Sequence, residues 1–227
     1  SNYSHGFRPK RSCHTALLQL QHNFTGVKWF VEGDIKSYFD TIDHHILVNI
    51  LRRKIKDEAF LELIWKFLRA GYLENWEYNA TYSGIAQGSG ISPVLANIYL
   101  NEFDCFMDRY KKEFDRGVKR KPNREYTRRK GHHQHYKDKT RKEWSGYSEE
   151  EKRSAAKRLS EMKAEYQKFP EGDPMDEGYR RIQYVRYADD FIIGIIGSKA
   201  DAEKVKADIR EFLNKGLKLE LSDEKTL

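Results

Sequence analysis

Hydrophobic and polar residues follow two different periods along the chain. In five stretches, apolar residues recur every three or four positions, which predicts amphipathic helices, and a sixth stretch, after Ser148, predicts a polar helix that opens with a capping box. Each stretch is preceded by a Ser or Asp, whose side chain can accept a hydrogen bond from a free amide of the first helical turn. We therefore predict helix N-caps at Ser12, Asp43, Asp57, Ser92, Ser148 and Ser198.

Alternation at every second residue indicates the strands. Residues 28–35 read as a strand that ends at Asp34, and residues 217–221 read as another. Apolar, β-branched and aromatic runs on both sides of Asp189 and Asp190 predict a hairpin with these carboxylates at its tip. With a charged middle segment set aside, the order is strand, helices, hairpin, helix, strand. This order predicts an α+β fold with a ferredoxin-like βαββαβ sheet.

The paired carboxylates suggest metal-dependent chemistry. Asp189 and Asp190 repel one another unless a cation lies between them, although Asp-Asp is also a common polar turn. Asp34 supplies a third carboxylate at the end of a strand that such a sheet can place beside the hairpin. Three carboxylates can hold two divalent ions about 3.5–4 Å apart, the arrangement used for in-line phosphoryl transfer. We expect Mg²⁺, with Mn²⁺ as the alternative.

Charge is distributed unevenly. The 227 residues carry a net charge of +7, which favours nucleic acid over a membrane as partner. Residues 109–142 hold 15 Lys/Arg against 4 Asp/Glu and few aliphatic side chains, so we predict an inserted RNA-binding arm without a core. A solubilising loop is the alternative, and a His132, His133 and His135 metal site is disfavoured. The candidate RNA-binding residues are Lys119, Arg120, Lys121, Arg124, Arg128, Arg129 and Lys130.

These patterns divide the chain into three segments. We predict a first segment over 1–108 with Asp34, a basic and partly helical insertion over 109–181, and a final segment over 182–227 with the Asp-Asp hairpin. No apolar run approaches the roughly 20 residues that cross a bilayer. Cys13 and Cys105 lack metal or disulfide spacing, which favours a reducing compartment. Both ends lie in patterned sequence, so we expect a piece of a longer protein.

Five ordered motifs carry a family resemblance. Tyr187-Ala188-Asp189-Asp190 resembles the YxDD box of reverse transcriptases, and residues 30–44 resemble their first aspartate motif. SHGFRPKRS, GIAQGSGISPVLANIYLNEFD and LELSDEKT complete a series similar to the bacterial group II intron maturases. The resemblance implies the fingers and palm of a right-hand polymerase, and an RNA-directed DNA polymerase that also binds intron RNA to assist splicing and mobility.

The resemblance also assigns roles to residues. It implies that Asp34, Asp189, Asp190 and the Ile35 carbonyl hold the metals. It implies that the incoming nucleotide is contacted by Arg8, Phe39, Gln87, Gly88 and Lys225, with the bulk of Phe39 selecting deoxynucleotides. Its implied partners are intron RNA, an RNA template with a DNA primer, and dNTPs, in a ribonucleoprotein of the bacterial cytoplasm.

Two other functions compete with polymerisation. One is an RNA-binding splicing scaffold that keeps the polymerase fold but has little activity, and the other is a nucleotide cyclase on a similar palm. This sequence lacks the Gly-Gly-acidic turn that characterises such cyclases. The family's thumb is missing from this sequence, so we also expect exposed apolar surface and a homodimer.

Overall fold

The computed structural model describes residues 2–74, 77–79, 83–85 and 90–222. The helices are α1 Cys13–Asn23, α2 Tyr38–Thr41, α3 His44–Arg52, α4 Glu58–Arg69, α5 Ser92–Phe114, α6 Arg124–Glu143, α7 Glu149–Gln167 and α8 Lys199–Leu217. The strands are β1 Trp29–Gly33, β2 Tyr72–Glu74, β3 Glu77–Asn79, β4 Arg181–Tyr187 and β5 Asp190–Ile196. This mixture of helices and antiparallel strands confirms the α+β class.

The predicted caps are confirmed at five of the six helices, because their side chains accept first-turn amides. Ser12, Asp43, Asp57, Ser148 and Ser198 bond to the third residue beyond them. Such a bond satisfies an amide that has no partner within the helix.

The sixth cap was predicted wrongly. Ser92 lies inside α5 with 1% of its surface exposed, and Ile91 takes the cap position without a side-chain bond. Pro93, in the first turn, needs no amide partner and starts the helix in its place.

β1, β5 and β4 form one antiparallel sheet in that order, and β2 pairs with β3 in a separate antiparallel two-stranded sheet. Next to β1, Ile35 forms an isolated antiparallel bridge to Leu221, flanked by bonds from the Lys36 amide to the Glu220 carbonyl and from the Ser222 amide to the Asp34 carbonyl. The strand predicted over 217–221 is thus reduced to this bridge, because α8 continues through Leu217 and Lys218 ends it in a left-handed conformation.

The main core lies between one face of the sheet and the long helices. β4 and β5 direct Ile182, Tyr184, Ile193 and Ile195 to this face, and all four are at most 2% exposed. α5, α8 and α3 supply the opposing side chains, among which the most buried are Tyr99, Leu100, Phe103, Met107, Val205, Ile209, Leu213 and Leu47. The other face of the sheet, which carries Val185 and Ile192, lies beside α1.

The chain divides into two compact units. Residues 1–115 and 180–227 form the first, and Arg116–Tyr179 form the second. The insertion was predicted to begin at residue 109, but α5 runs on to Phe114, whose ring stacks on Tyr110 at 6.4 Å. The aromatic side chains of this last turn pack against the core, so the helix does not end where the basic composition begins.

The second unit is an antiparallel pair of helices, α6 and α7. The expectation that it has no core is corrected, since side chains spaced three and four residues apart meet along a seam. Tyr126 and His133 contact the Tyr166 ring at 5.5 and 5.4 Å, and Ala155 is buried. These contacts are aromatic rather than aliphatic, and a count of aliphatic residues therefore overlooks them.

Candidate active site

The Asp-Asp hairpin forms as predicted and has a very tight turn. Tyr187 pairs with Asp190, so Ala188 and Asp189 alone connect β4 to β5. Ala188 has a φ of 56°, a left-handed conformation that is unusual for a residue with a side chain. The turn presents Asp189 at its tip and Asp190 as the first residue of β5.

Asp34 reaches the same end of the sheet from the neighbouring strand. Gly33 pairs with Phe191, so the residue after Gly33 lies level with Asp190. Because side chains alternate between the faces of a sheet, Asp34 and Asp190 point to the same face. They line a common cavity of about 300 Å³, together with Glu32, Tyr187 and residues of α1. Two of the three predicted carboxylates therefore converge, although 156 residues separate them in sequence.

The carboxylates do not form a closed metal cage. Within the described ranges, no three His, Cys, Asp or Glu side chains are grouped closely enough to hold an ion by themselves. The donors of Asp34 and Asp190 are carboxylate oxygens, the ligand type that Mg²⁺ prefers.

Phe39 lies close to this end of the sheet. Its neighbour Tyr38 is 4% exposed, donates a hydrogen bond to the Ala96 carbonyl, and contacts the Phe39 ring edge at 5.4 Å between centroids. Burial raises the pKa of Tyr38 well above its usual value, and the charge of Asp189 raises it further. The segment that leads toward the Gly-rich motif is fixed to the same place, because the Ile85 amide donates to the Phe39 carbonyl at 2.7 Å.

Other predicted nucleotide contacts are placed differently or are not described. Arg8 lines a separate cavity between the amino-terminal loop, α3 and α5, and donates to the Ser4 carbonyl at 3.2 Å. Gln87, Gly88 and Lys225 lie outside the described residues. Ile35 is 2% exposed, and its bridge to Leu221 uses the Asp34 carbonyl and the Lys36 amide rather than the Ile35 carbonyl.

A buried polar network beneath the hairpin was not predicted. Arg186, next to Tyr187, pairs with Asp104 of α5 at 2.9 Å. Burial opposes the charge of Arg186, but the bonds to Asp104 outweigh it and raise the pKa of Arg186 above its ordinary value. A signal was present in the sequence, since Arg186 alternates with the inward residues Ile182 and Tyr184. A charged residue at an inward position requires a buried partner.

The candidate RNA-binding residues differ in their surroundings. Arg129 lies in the helical seam, 5.0 Å from the centre of the Phe169 ring and 3.5 Å from Glu165. Arg120 stacks on Tyr179 at 5.4 Å, and Lys121 lies 3.9 Å from Asp176. Both contacts join the first residues of the second unit to its last residues. The side chains of Lys119, Lys121, Arg124, Arg128 and Lys130 are exposed to solvent, including Lys121 despite its contact with Asp176.

Comparison with known proteins identifies the family. Residues 1–139 match the family described as Reverse transcriptase (RNA-dependent DNA polymerase). The chain belongs to this family. It is 48% identical to the group II intron-encoded protein LtrA of Lactococcus lactis subsp. cremoris over 225 residues, which are 99% of this chain and 36% of LtrA. The kinship with group II intron maturases that the motifs implied is thereby confirmed.

Two further relatives extend the comparison. Protein YkfC of Escherichia coli is 32% identical over 228 residues, covering 98% of this chain and 50% of YkfC. Nuclear intron maturase 1 of Arabidopsis thaliana is 24% identical over 279 residues, covering 99% of this chain and 35% of the maturase. The chain thus spans between a third and a half of these proteins.

Among the described residues, no helix is both long and apolar enough to cross a bilayer.

Proposed function

We propose that this chain is the catalytic part of an RNA-directed DNA polymerase of a group II intron maturase. It would join dNTPs to the 3′-hydroxyl of a primer on an RNA template. The observation that carries this proposal is the meeting of Asp34 and Asp190 on one face of the sheet, at the mouth of a shared cavity and beside the Asp189 turn. Membership of the reverse transcriptase family supports the same reaction.

The topology supports a polymerase palm. If the segment at Leu221 is counted as the last strand, the spatial order is β4, β5, β1 and then this segment. In chain order this is 2-3-1-4, the order of the ferredoxin-like βαββαβ sheet. The fingers would come from the amino-terminal loop and helices of the first unit. The Asp-Asp hairpin then lies at the centre of the palm.

Mg²⁺ fits the donor set, and Asp34, Asp189, Asp190 and the Ile35 carbonyl are the proposed ligands. When bound, a pair of such ions lowers the pKa of the attacking hydroxyl and neutralises the leaving pyrophosphate. The chain's own part is to hold these oxygens on adjacent strand ends, which are more rigid than loops. Manganese has a similar ligand preference and is the proposed substitute.

The incoming nucleotide would lie against Phe39. The bond from Ile85 to the Phe39 carbonyl joins this residue to the segment that precedes Gln87 and Gly88. We propose that Phe39 excludes a ribose 2′-hydroxyl by its bulk, while Gln87, Gly88, Arg8 and Lys225 contact the base, sugar or phosphates. Arg8 lines a different cavity from Asp34.

Intron RNA is the proposed partner of the second unit. α6 carries eight Lys/Arg and three Asp/Glu, whereas α7 carries five of each. Phosphate contacts depend on local positive charge. The RNA would therefore lie against α6, and the ribonucleoprotein would form in the bacterial cytoplasm. The homodimer stays a prediction.

Substitution of the carboxylates in the full-length protein tests the reaction. Asp34→Asn and Asp190→Asn each remove one oxygen ligand with little change in shape, and primer extension with Mg²⁺ should fall to background. Asp43→Asn is the matched control and should retain extension, because this carboxylate caps α3 and pairs with Lys218. Normal extension by the Asp190→Asn protein would rule out this function.

A second candidate is an RNA-binding splicing scaffold, which the charge of α6 favours. The two functions can coexist, and the same variants separate them. A scaffold would assist splicing equally well with Asp190→Asn, and the wild-type protein would not extend a primer. If the wild-type protein extends primers and Asp190→Asn abolishes only this activity, both functions are present.

A further inference from the structure

An ion pair is buried directly beneath the Asp-Asp hairpin. Arg186 and Asp104 are 1% and 2% exposed. The guanidinium donates through Nε to Asp104 Oδ1 and through Nη2 to Oδ2, both at 2.9 Å. Tyr184 donates its hydroxyl to the same carboxylate at 2.9 Å. α5 and β4 are therefore joined by a two-pronged contact of fixed geometry.

The remaining donor of Arg186 reaches the turn itself. Nη1 donates to the Ala188 carbonyl at 2.6 Å and to Asn97 Oδ1 at 3.2 Å. Ala188 is the residue with the left-handed backbone, and its carbonyl belongs to the peptide that leads into Asp189. A single side chain thus connects a rigid helix to the peptide that carries the first of the two adjacent carboxylates.

The amino-terminal segment closes the same network from the other side. The Arg186 amide donates to the Tyr3 carbonyl, and the Arg186 carbonyl accepts from the His5 amide, both at 2.9 Å. Asn97 donates to the Gly6 carbonyl at 2.9 Å. A Cβ on Gly6 would lie only 2.5 Å from the Ala188 nitrogen, so this segment packs directly against the turn.

Stability alone does not account for this arrangement. A buried ion pair loses its hydration, and well-packed apolar side chains of similar volume often stabilise a fold equally well or better. An apolar pair, however, could not hold the Ala188 carbonyl. A left-handed turn at a residue with a side chain persists only where its surroundings determine it.

We propose that Arg186, held by Asp104, is a positioning residue that fixes the Ala188 turn and thereby sets the places of Asp189 and Asp190. This inference rests on the proposed polymerase function. Arg186 does not touch substrate; it acts through the peptide of the turn. Without its hydrogen bond to the Ala188 carbonyl, the carboxylates would drift by a fraction of an ångström to an ångström, a displacement that can cost about 10²-fold in rate.

The test uses the full-length protein with both charges replaced. Arg186→Met alone would leave the buried Asp104 carboxylate without an opposite charge, with only the Tyr184 hydroxyl as a partner, and would destabilise the fold. The double variant Arg186→Met/Asp104→Leu avoids this, because it leaves an apolar pair of similar volume. We expect a folded protein with a Tm below that of the wild type, because the buried Tyr184 hydroxyl loses its acceptor. We also expect a kcat lower by about 10²-fold and a higher Mg²⁺ concentration at half-maximal rate. The KM for the primer–template should change little.

A matched control lies at the other end of the same helix and strand. Asp115 accepts from the Ile182 amide at 2.8 Å and pairs with Lys111 at 3.0 Å, so it also joins α5 to β4 but far from the turn. Asp115→Asn should lower the Tm without changing kcat or the Mg²⁺ requirement. A purely structural role for Arg186 predicts the same behaviour for both variants.

The outcomes are distinguishable. If the double variant folds and has wild-type kcat and Mg²⁺ dependence, the positioning role is overturned. If it does not fold, Arg186→Lys decides, since lysine keeps the charge but lacks the fork that spans Asp104 and the Ala188 carbonyl. Wild-type kcat in Arg186→Lys would also overturn the proposal. A wild-type protein that cannot extend primers would instead refute the proposed function.

Discussion

The two units of this protein are built by opposite means. In the first unit, distant segments meet, and its site depends on side chains that lie 82 residues apart in the Arg186–Asp104 pair. In the second unit, two consecutive helices pack along a seam of mainly aromatic and small side chains that also holds Arg129, and most of its other charged side chains are exposed. In their proposed roles, the first unit needs exact placement of a few atoms, whereas the second needs only enough positive charge on one helix. The two should therefore respond differently to change.

Removal of the second unit should have the largest effect of all these changes on intron RNA binding and little effect on primer extension. Asp115 bonds to the Ile182 amide at 2.8 Å, so the ends of the first unit that flank the insertion are close together. Replacing 116–179 by a short Gly-Ser linker should leave primer extension on a short primer–template intact. Intron RNA binding should weaken by about 10³-fold at 0.1 M salt, because several RNA phosphates would no longer be neutralised. Filter binding measures the RNA affinity, and primer extension on the same preparation measures polymerisation. An unchanged RNA affinity would contradict the proposal that the second unit binds the intron RNA.

Charge removal from one helix sharpens the comparison. Arg124, Arg128 and Lys130 on α6 are exposed, and Lys130 lies over the Tyr126 ring. Changing all three to Gln should weaken RNA binding by about 10²-fold at 0.1 M salt. It should also lower the slope of log K against log salt by about 0.7–0.9 for each RNA phosphate that the protein ceases to neutralise. Titrations of intron RNA at several salt concentrations give this slope.

α7 offers a matched control for that experiment. Arg153, Arg158 and Lys163 are also two arginines and a lysine, all exposed, and Arg158 lies over the Tyr136 ring. Their replacement by Gln removes the same charge from the protein. If both triple variants lose equal affinity, net charge rather than the α6 surface governs binding.

The smallest effect concerns a cap in the first unit. Asp43 accepts from the Ile46 amide at 2.9 Å and from Lys218 at 2.6 Å. Burial raises the pKa of Asp43, but these hydrogen bonds outweigh it, and the pKa lies below its ordinary value. A carboxyl with a lowered pKa in the folded state stabilises the fold above its unfolded pKa of about 3.9, and this contribution disappears as the pH falls through the folded pKa.

Asp43→Asn should therefore cost about 0.5 kcal/mol at pH 7 and less at pH 3, which lies below the unfolded pKa. Urea unfolding at both pH values measures the difference. Asp57→Asn, at the equivalent cap of α4, is the reference for the loss of a capping carboxylate by itself. A penalty for Asp43→Asn that does not change with pH would show that its charge has no part in stability.

Local patterns in the sequence predict more than distant ones. The Asp-Asp hairpin and five caps depend on residues within a few positions of each other, and the structure contains them. The meeting of Asp34 with Asp190 required the topology as well, which the order of elements supplied. The pairing of Arg186 with Asp104 depends on how α5 packs against β4, and the local sequence pattern around either residue does not predict it.

The second unit shows a different limit. Its seam positions 126, 129, 133, 136 and 140 follow the spacing of a packed helix pair, but they are filled by Tyr, Arg, His, Tyr and Thr. A search for aliphatic residues finds no core there. Aromatic rings and aliphatic stems of charged side chains bury surface in place of leucines.

The close approach of Gly6 to Ala188 has a practical consequence for work on the protein. Residues 3–6 lie along β4 as an added edge and press on the bend that carries the acidic pair. A purification tag, a cross-linking group or a bulkier residue inserted at this point would displace the turn that carries Asp189 and Asp190. A loss of activity in such a protein would then result from the displaced turn and not from the loss of a chemical group.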